Sequence, residues 1–317
     1  MSLDCLSVGL LVADHLCAPI SHCPKAGELV LTDHLSLKIG GCASNAAIDL
    51  ARLGVRVGVV GCVGDDPFGG FIIETLRQSG VDTRSIRSLS GVGTSGTLIV
   101  NVKGEDRRFV HTIGANGRLS AGDIPIERVR QARVLYVGGY LLMPSLEAGP
   151  LAELFRQARA AGVATLLDVV VPGPGDYWHQ LEPLLPETDV FLPNNDEAAI
   201  LAGCDDPRRQ ADRFHAAGAR TVVITCGGRG TVLLTDGLRL EAETYPTDYV
   251  GATGAGDAFD AGYVAGLLEG GDARRCLEWG SALGASCVRS ISATESVFNR
   301  DEAEAFMRQH RLIVREW

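Results

Sequence analysis

The sequence predicts an α/β fold, a doubly wound and mostly parallel sheet with helices on both faces, plus a small β-sheet lid. Short apolar runs alternate with helical stretches along the whole chain, which is the pattern of parallel strands covered on both faces. Several helical stretches are followed by a glycine suited to the left-handed position that ends a helix: Gly54, Gly80, Gly162 and Gly218. Two segments, about 16–39 and 92–113, break the alternation and show strand and turn patterns only.

The elements follow one another in regular order. Buried strands are predicted at Cys5–Gly9, Val55–Val60, Val134–Val137, Val163–Leu167, Val190–Leu192, Thr221–Thr225 and Thr231–Leu234. Helices are predicted at Ser44–Leu53, Phe68–Ser79, Gly149–Ala161, Asp196–Leu201, Arg208–Ala217, Asp257–Leu268 and Ala273–Val288. In the second break, Thr97–Val102, a turn at 103–106 and Arg107–Ile113 predict a hairpin. Since no Pro/Ser-rich linker, charge block or internal repeat interrupts the chain, residues 1–317 are expected to form one domain with the lid segments inserted.

Composition and charge exclude several classes of protein. Hydrophobic residues make up 46% of the chain and charged residues 21%, which supplies a core and excludes disorder as the main state. The 29 basic and 39 acidic residues leave a net charge of −10, which argues against a surface for nucleic acid or anionic membrane. A small anionic ligand is not excluded, because backbone amides can bind one locally.

The cysteines and the N-terminus predict a cytoplasmic protein. The nine cysteines are scattered and contain no C-x-x-C pair, so reduced thiols are favoured over a disulfide framework or a zinc site. The N-terminus lacks the basic start and long apolar stretch of a signal peptide. No apolar run reaches the roughly 18 residues of a transmembrane helix.

One glycine-rich motif resembles a dinucleotide-binding loop, but the residues that follow it do not fit that function. Residues 91–96 match the G-x-G-x-x-G pattern of dinucleotide-binding proteins, but a strand follows them where that pattern requires a helix. A flexible turn is therefore favoured at residues 91–96. The alternative is a nicotinamide-binding loop, and the protein would then be an oxidoreductase. No G-x-x-x-x-G-K-[ST] loop occurs.

The strongest local signal is the run Gly254-Ala255-Gly256-Asp257 at the start of a predicted helix. Small residues leave the first N–H groups of the helix uncovered, and these amides with the positive end of the helix dipole form an anion site. A carboxylate beside a phosphate is unfavourable unless it has chemical work, such as taking a proton from a hydroxyl. The alternative is an ordinary turn with Asp257 as a helix-end residue.

Three weaker signals accompany it. Gly40 and Gly41 precede a helix and would let backbone approach a ligand, while Asn45 offers a donor and an acceptor for hydroxyls; the alternative is a capped turn. Residues 194–197, Asn-Asn-Asp-Glu, could hold hydrated magnesium or begin a capped helix. Residues 225–230, Thr-Cys-Gly-Gly-Arg-Gly, could pass beneath a nucleotide or only make a hairpin.

The four motifs occur in the order and with the spacing of one known protein family. Over about residues 6–297 the chain resembles the ribokinase-like (PfkB) carbohydrate kinase family, through Gly-Gly-x-x-x-Asn at 40–45, Asn-x-x-Glu at 194–197, Thr-x-Gly-x-x-Gly at 225–230 and Gly-Ala-Gly-Asp at 254–257. The resemblance implies a doubly wound α/β fold with a β-sheet lid. It implies an ATP- and Mg²⁺-dependent kinase that phosphorylates an alcohol of a small sugar or sugar-like substrate.

The resemblance also implies site roles. Asp257 would be the catalytic base, and the amides of Gly254, Ala255 and Gly256 the anion hole for the γ-phosphoryl group. The ATP side would use Asn194, Thr225, Gly227, Gly230 and Gly256. Asn194 and Glu197 would organise Mg²⁺ through water. Sugar contacts would come from Asp14, Gly40, Gly41 and Asn45, with Asp257.

Several positions depart from the family pattern. Gly251 replaces the aspartate that helps bind a monovalent cation, which puts potassium activation in doubt. Val12 and Cys42 stand where ribokinases carry asparagine and lysine, so ribose itself is not implied. A nucleoside kinase of the same family, or a binding sensor without turnover, remains an alternative.

The lid implies an assembly. Its strands would expose apolar faces such as Leu29 with Leu31 and Leu98 with Val100, and lids in this family often pair across a homodimer. We therefore expect a homodimer formed through the lid; the alternative is a monomer whose strand edges are protected by charges.

Overall fold

The computed structural model describes residues 3–105 and 108–317. Its large sheet has ten strands in the spatial order β14-β13-β12-β11-β10-β9-β8-β1-β4-β5. The strands are β1 Cys5–Gly9, β4 Val57–Gly64, β5 Asp82–Leu89, β8 Val134–Gly138, β9 Ala164–Leu167, β10 Val190–Phe191, β11 Thr221–Thr225, β12 Thr231–Thr235, β13 Leu238–Ala242 and β14 Val314–Glu316. The strands from β11 to β5 in this order are parallel, and β12, β13 and β14 pair antiparallel.

A separate sheet of four strands forms the lid. It has the order β3-β2-β6-β7, with β2 Val12–Cys17, β3 Leu35–Gly40, β6 Gly96–Val100 and β7 Arg108–Thr112. Residues 91–96 lead directly into β6, so the absence of a helix after that glycine-rich motif is confirmed. β6 and β7 pair antiparallel as the hairpin prediction required, although Asp106 and Arg107 of that prediction lie outside the described residues.

Helices cover both faces of the large sheet. They are α1 Cys42–Arg52, α2 Pro67–Gln78, α3 Ile126–Val129, α4 Ala148–Ala160, α5 Trp178–Leu181, α6 Asn195–Ala202, α7 Pro207–Ala216, α8 Ala255–Leu268, α9 Ala273–Cys287 and α10 Arg300–Gln309. One apolar core packs α1, α2, α8 and α9 against one face, and a second packs α4, α6 and α7 against the other. Among the described residues, no helix has the length and apolarity needed to cross a bilayer.

The predicted fold class is confirmed, with corrections to its elements. The four glycines predicted to end helices all have positive φ: Gly54, Gly80, Gly162 and Gly218. The prediction missed β5, β13, β14 and α10. β5 carries charged residues and is half-exposed along its length, so it lacks the apolar run by which the buried strands were found. Leu29 and Leu31 are exposed but lie in an irregular segment, so the strand face predicted there is wrong.

Candidate active site

A cleft of ≈150 Å³ lies where parallel strands end at their carboxyl side. Asp168 follows β9, Asn194 follows β10, and Thr225 ends β11. The first turn of α8, with Gly254, Gly256 and Asp257, closes the cleft. In open α/β sheets, ligands bind in crevices outside the carboxyl ends of the strands. The fold therefore places three of the predicted motifs around one cavity.

Helix α8 begins at Ala255, with Gly254 as its N-cap, two residues earlier than the predicted start. The N–H groups of a first helical turn have no acceptor inside the helix and are available to bind a ligand. Ala255 differs from its neighbours because its N–H already donates to the carbonyl of Ala252 at 3.2 Å. Gly254 and Gly256 line the cleft. The available amides thus centre on these two glycines.

Asp257 lies beside two side chains of α1, those of Cys42 and Asn45. Nδ2 of Asn45 donates to Oδ2 of Asp257 at 2.8 Å. Burial raises the pKa of Asp257, and hydrogen bonds from Asn45 and Cys42 lower it in part. A carboxyl with a raised pKa is a better proton acceptor than an exposed one, which suits a general base.

Three more carboxyl groups share the cleft with Asp257: Asp168, Glu197 and Asp260. Burial raises the pKa of Asp168 and Asp260 well above the usual range, and raises that of Glu197 to about 7. Tyr136 donates its hydroxyl to Oδ2 of Asp260 at 2.9 Å, and the N–H of Gly139 donates to Oδ2 of Asp168 at 2.9 Å. No Lys, Arg or His lines the cleft within the described chain.

Sequence reasoning did not assign a role to Asp260. The signal was present, because Asp260 stands three residues after Asp257 on α8 and this spacing places both side chains on one helix face. Cys42 was noted only as a departure from the family pattern, yet its Sγ lies within 4.8 Å of carboxylate oxygens of Asp168 and Asp257.

Asn194 and Glu197 form a capping box at the start of α6. Oδ1 of Asn194 accepts from the N–H groups of Asp196 at 3.0 Å and Glu197 at 2.9 Å, while Oε2 of Glu197 accepts from the N–H of Asn194 at 3.1 Å. Both residues also line the cleft. The capping and the ligand-binding interpretations of this motif are therefore compatible, since one carboxylate can cap the helix and face the cavity.

The loop after β11 meets this capping box. Asn194 and Thr225 form a β-bridge, and the N–H of Thr225 donates to the carbonyl of Pro193 at 3.2 Å. Thr225 lines the cleft, whereas Gly227 and Gly230 shape the turn beyond it and are outside the lining.

The predicted sugar contacts lie on the lid side. Asp14 on β2 is buried, and burial raises its pKa to about 6 against the effect of a hydrogen bond from Thr97. Gly40 on β3 pairs with Val12 on β2, two residues before Asp14. A Cβ at Gly40 would occupy the space of the Asp14 carboxylate. Glycine at position 40 therefore leaves room for this carboxylate. Gly41 is the N-cap of α1, which carries Asn45 towards Asp257.

A comparison with known protein families decides what this arrangement represents. Residues 2–300 match the family described as pfkB family carbohydrate kinase. The chain belongs to this family. As a pfkB carbohydrate kinase, it is a phosphotransferase with an alcohol group as acceptor, and the resemblance found in the sequence is confirmed.

Similar proteins support the assignment across the chain. The ribokinase of Haemophilus influenzae is 29% identical and covers 95% of this chain and 97% of its own length. The 5-dehydro-2-deoxygluconokinase of Geobacillus kaustophilus is 28% identical, over 98% of this chain and 95% of its own. The structure of Arabidopsis thaliana ribokinase complexed with ribose and ATP superposes with a TM-score of 0.84 at 24% identity, covering 97% of this chain and 99% of that one. This pfkB kinase therefore has the ribokinase-like fold.

Proposed function

We propose that this sugar kinase transfers the γ-phosphoryl group of ATP to a hydroxyl of a small sugar or sugar-like substrate, with Asp257 as the general base. The observation that carries the proposal is the half-buried carboxylate of Asp257 at the start of α8, hydrogen-bonded by Asn45. Asp257 lines the cleft together with Gly254 and Gly256, and its charge raises the pKa of the lid residue Asp14, so we propose that one proton acceptor serves both an anion site and a polyol site.

The chemistry follows from this placement. Asp14 and Asn45 orient the sugar, and the acceptor hydroxyl gives its proton to Asp257 as its oxygen forms a bond to the γ-phosphorus. The bond from that phosphorus to the β–γ bridging oxygen breaks, and ADP leaves. The amides at Gly254 and Gly256 stabilise the charge on the transferring group, and positioning with electrostatics dominates such reactions.

Oxygen donors on the nucleotide side fit a hydrated Mg²⁺. Glu197 offers a carboxylate to a cleft that has four acidic side chains and no basic one in its described lining, and a cation would relieve that repulsion. Oδ1 of Asn194 is occupied by capping, so we propose that its amide NH₂ group donates to a phosphate oxygen. When bound, Mg²⁺ supplies charge neutralisation on the phosphates.

Replacing Glu197 with glutamine tests this assignment. The amide oxygen of glutamine can still accept the N–H of Asn194, so the cap and the melting temperature should be preserved. Loss of the charge should raise the Mg²⁺ concentration for half-maximal activity at least about tenfold. Asp196→Asn, one residue earlier and outside the cleft lining, is the matched control. An unchanged Mg²⁺ titration in Glu197→Gln would refute the assignment.

One experiment can identify the substrate and test whether the enzyme needs potassium. The relatives reported above are named ribokinase and 5-dehydro-2-deoxygluconokinase, so the two names refer to different sugars. A coupled ADP-release screen should therefore include ribose, fructose, ketodeoxygluconate, tagatose-type sugars and nucleosides. We propose that at least one sugar is turned over. Because Gly251 supplies no carboxylate for a monovalent cation, we propose that kcat is the same in potassium chloride and in choline chloride. ATP binding without ADP release from any compound would favour the sensor.

We also propose a homodimer formed through the lid. Leu98 on β6 and Val110 on β7 are paired neighbours on one face, and both are exposed. β7 is an edge strand whose described residues are all exposed. An apolar face beside an open strand edge is typical of an interface.

Light scattering tests the dimer. The native chain should give about twice 33.5 kDa, and Val110→Glu should give the monomer mass, because a charge in an apolar interface is costly. Ile313→Glu changes an exposed apolar residue just before β14, an edge strand of the large sheet and not of the lid, and should leave the mass unchanged. A monomer mass for the native chain at micromolar concentration would refute the proposal.

A further inference from the structure

We infer that Cys42 is a positioning residue for the general base. Its S–H group and the amide of Asn45 together hold the carboxylate of Asp257 in the orientation that accepts the proton of the sugar hydroxyl. The inference rests on the proposed function, and it gives a role to a residue at which the chain departs from ribokinases.

The geometry brings two donors from one turn of α1 to one carboxylate. Cys42 is the first residue of α1 and Asn45 stands three residues later, a spacing that places both on the same side of the helix. Asn45 donates to Oδ2 of Asp257. Sγ of Cys42 lies within 4.8 Å of carboxylate oxygens of Asp257 and Asp168. Asn45 therefore donates to the carboxylate of Asp257, and the thiol of Cys42 lies beside the same carboxylate.

The backbone around Cys42 is fixed by close packing. A Cβ at Gly138 would lie 2.8 Å from Cβ of Cys42, and a Cβ at Gly139 would lie 3.4 Å from its Sγ. These glycines end β8 and begin the next turn. Because neither glycine carries a side chain, Cys42 can pack directly against the end of β8.

The protonation state decides what the thiol can do. Burial raises the pKa of Cys42 well above its usual range, and the carboxylates of Asp257 and Asp168 raise it further. The thiol therefore remains S–H at neutral pH, where it can donate to a carboxylate but is a poor nucleophile. This excludes a covalent role and leaves hydrogen-bond donation to the base.

Two substitutions separate positioning from packing. Cys42→Ala removes the donor, and kcat should fall about tenfold with the KM for ATP and the melting temperature nearly unchanged. Cys42→Ser keeps a donor of similar size and should recover most of the lost kcat. Cys204→Ala, at a half-buried cysteine outside the cleft lining, controls for loss of a thiol. Equal damage in Ala and Ser, or a change confined to the KM of the sugar, would overturn the inference.

A double-mutant comparison separates this inference from the proposed function. In the Asp257→Asn background there is no base to position, so adding Cys42→Ala should change the residual kcat less than twofold. Independent, multiplicative losses would overturn the role of Cys42 while leaving Asp257 as the base. Full activity of Asp257→Asn alone would overturn the proposed function itself.

Discussion

Asp257→Asn should lower kcat at least about a hundredfold, the usual lower scale for loss of a general base. The amide has the shape of the carboxylate but cannot take the proton. The KM for ATP should stay within about threefold, since the phosphates are held by backbone amides. The melting temperature should not fall, because the substitution replaces a half-buried carboxyl group whose pKa is raised by desolvation, so that its charged form is disfavoured. Steady-state ADP release and a thermal melt measure both effects.

The matched control for this variant is Asp212→Asn. Asp212 lies on α7 and makes an exposed ion pair with Arg239 at 2.8 Å, and such pairs contribute little to stability. Its kcat should equal that of the native chain. Native turnover in Asp257→Asn would show that another group accepts the proton.

Gly254→Ala should damage the phosphate site and the fold together. Gly254 has φ 79° and ψ 0°, a left-handed conformation that costs an L-residue roughly 1–2 kcal/mol. Its Cβ would also lie 2.6 Å from both Cβ and the carbonyl oxygen of Ala293. The start of α8 must shift, so kcat/KM for ATP should fall at least about tenfold. The melting temperature should fall by several degrees.

Two other glycines separate the causes of that loss. A Cβ at Gly256 meets no atom within 4 Å, so Gly256→Ala should keep the melting temperature while its methyl group in the cleft lowers kcat/KM for ATP. Gly149 lies in α4 with equal space, and Gly149→Ala should keep full activity and melt at the same or a higher temperature. Native kinetics in both Gly254→Ala and Gly256→Ala would place the phosphates elsewhere.

The sequence located the buried central strands, although it ended β4 at Val60 and the structure continues this strand to Gly64. Cys5–Gly9 and Thr221–Thr225 were predicted with the bounds that the structure has, because continuous apolar runs between turn residues mark central strands. β5 was not predicted because it is only partly buried and carries charged residues. β14 is three residues long and mostly exposed, so it presents no pattern to read.

The site was predictable motif by motif but not as a set of contacts. Gly254–Asp257 and Asn194–Glu197 are local patterns, and both meet at the cleft. The bond between Asn45 and Asp257 joins residues 212 positions apart, and only the packing of α1 on α8 creates it. The engagement of the Ala255 amide by Ala252 depends on the path of the loop before the helix. No spacing rule reveals such a path.

The most direct measurement follows the phosphorus itself. The native chain is incubated with [γ-³²P]ATP, Mg²⁺ and the best substrate of the sugar screen, and the labelled products are separated. Transfer predicts label on the sugar in a one-to-one ratio with ADP, and labelled sugar formed at least about a hundredfold more slowly in Asp257→Asn. Label released only as inorganic phosphate, or labelled sugar formed equally well by Asp257→Asn, would contradict phosphoryl transfer to a hydroxyl under Asp257.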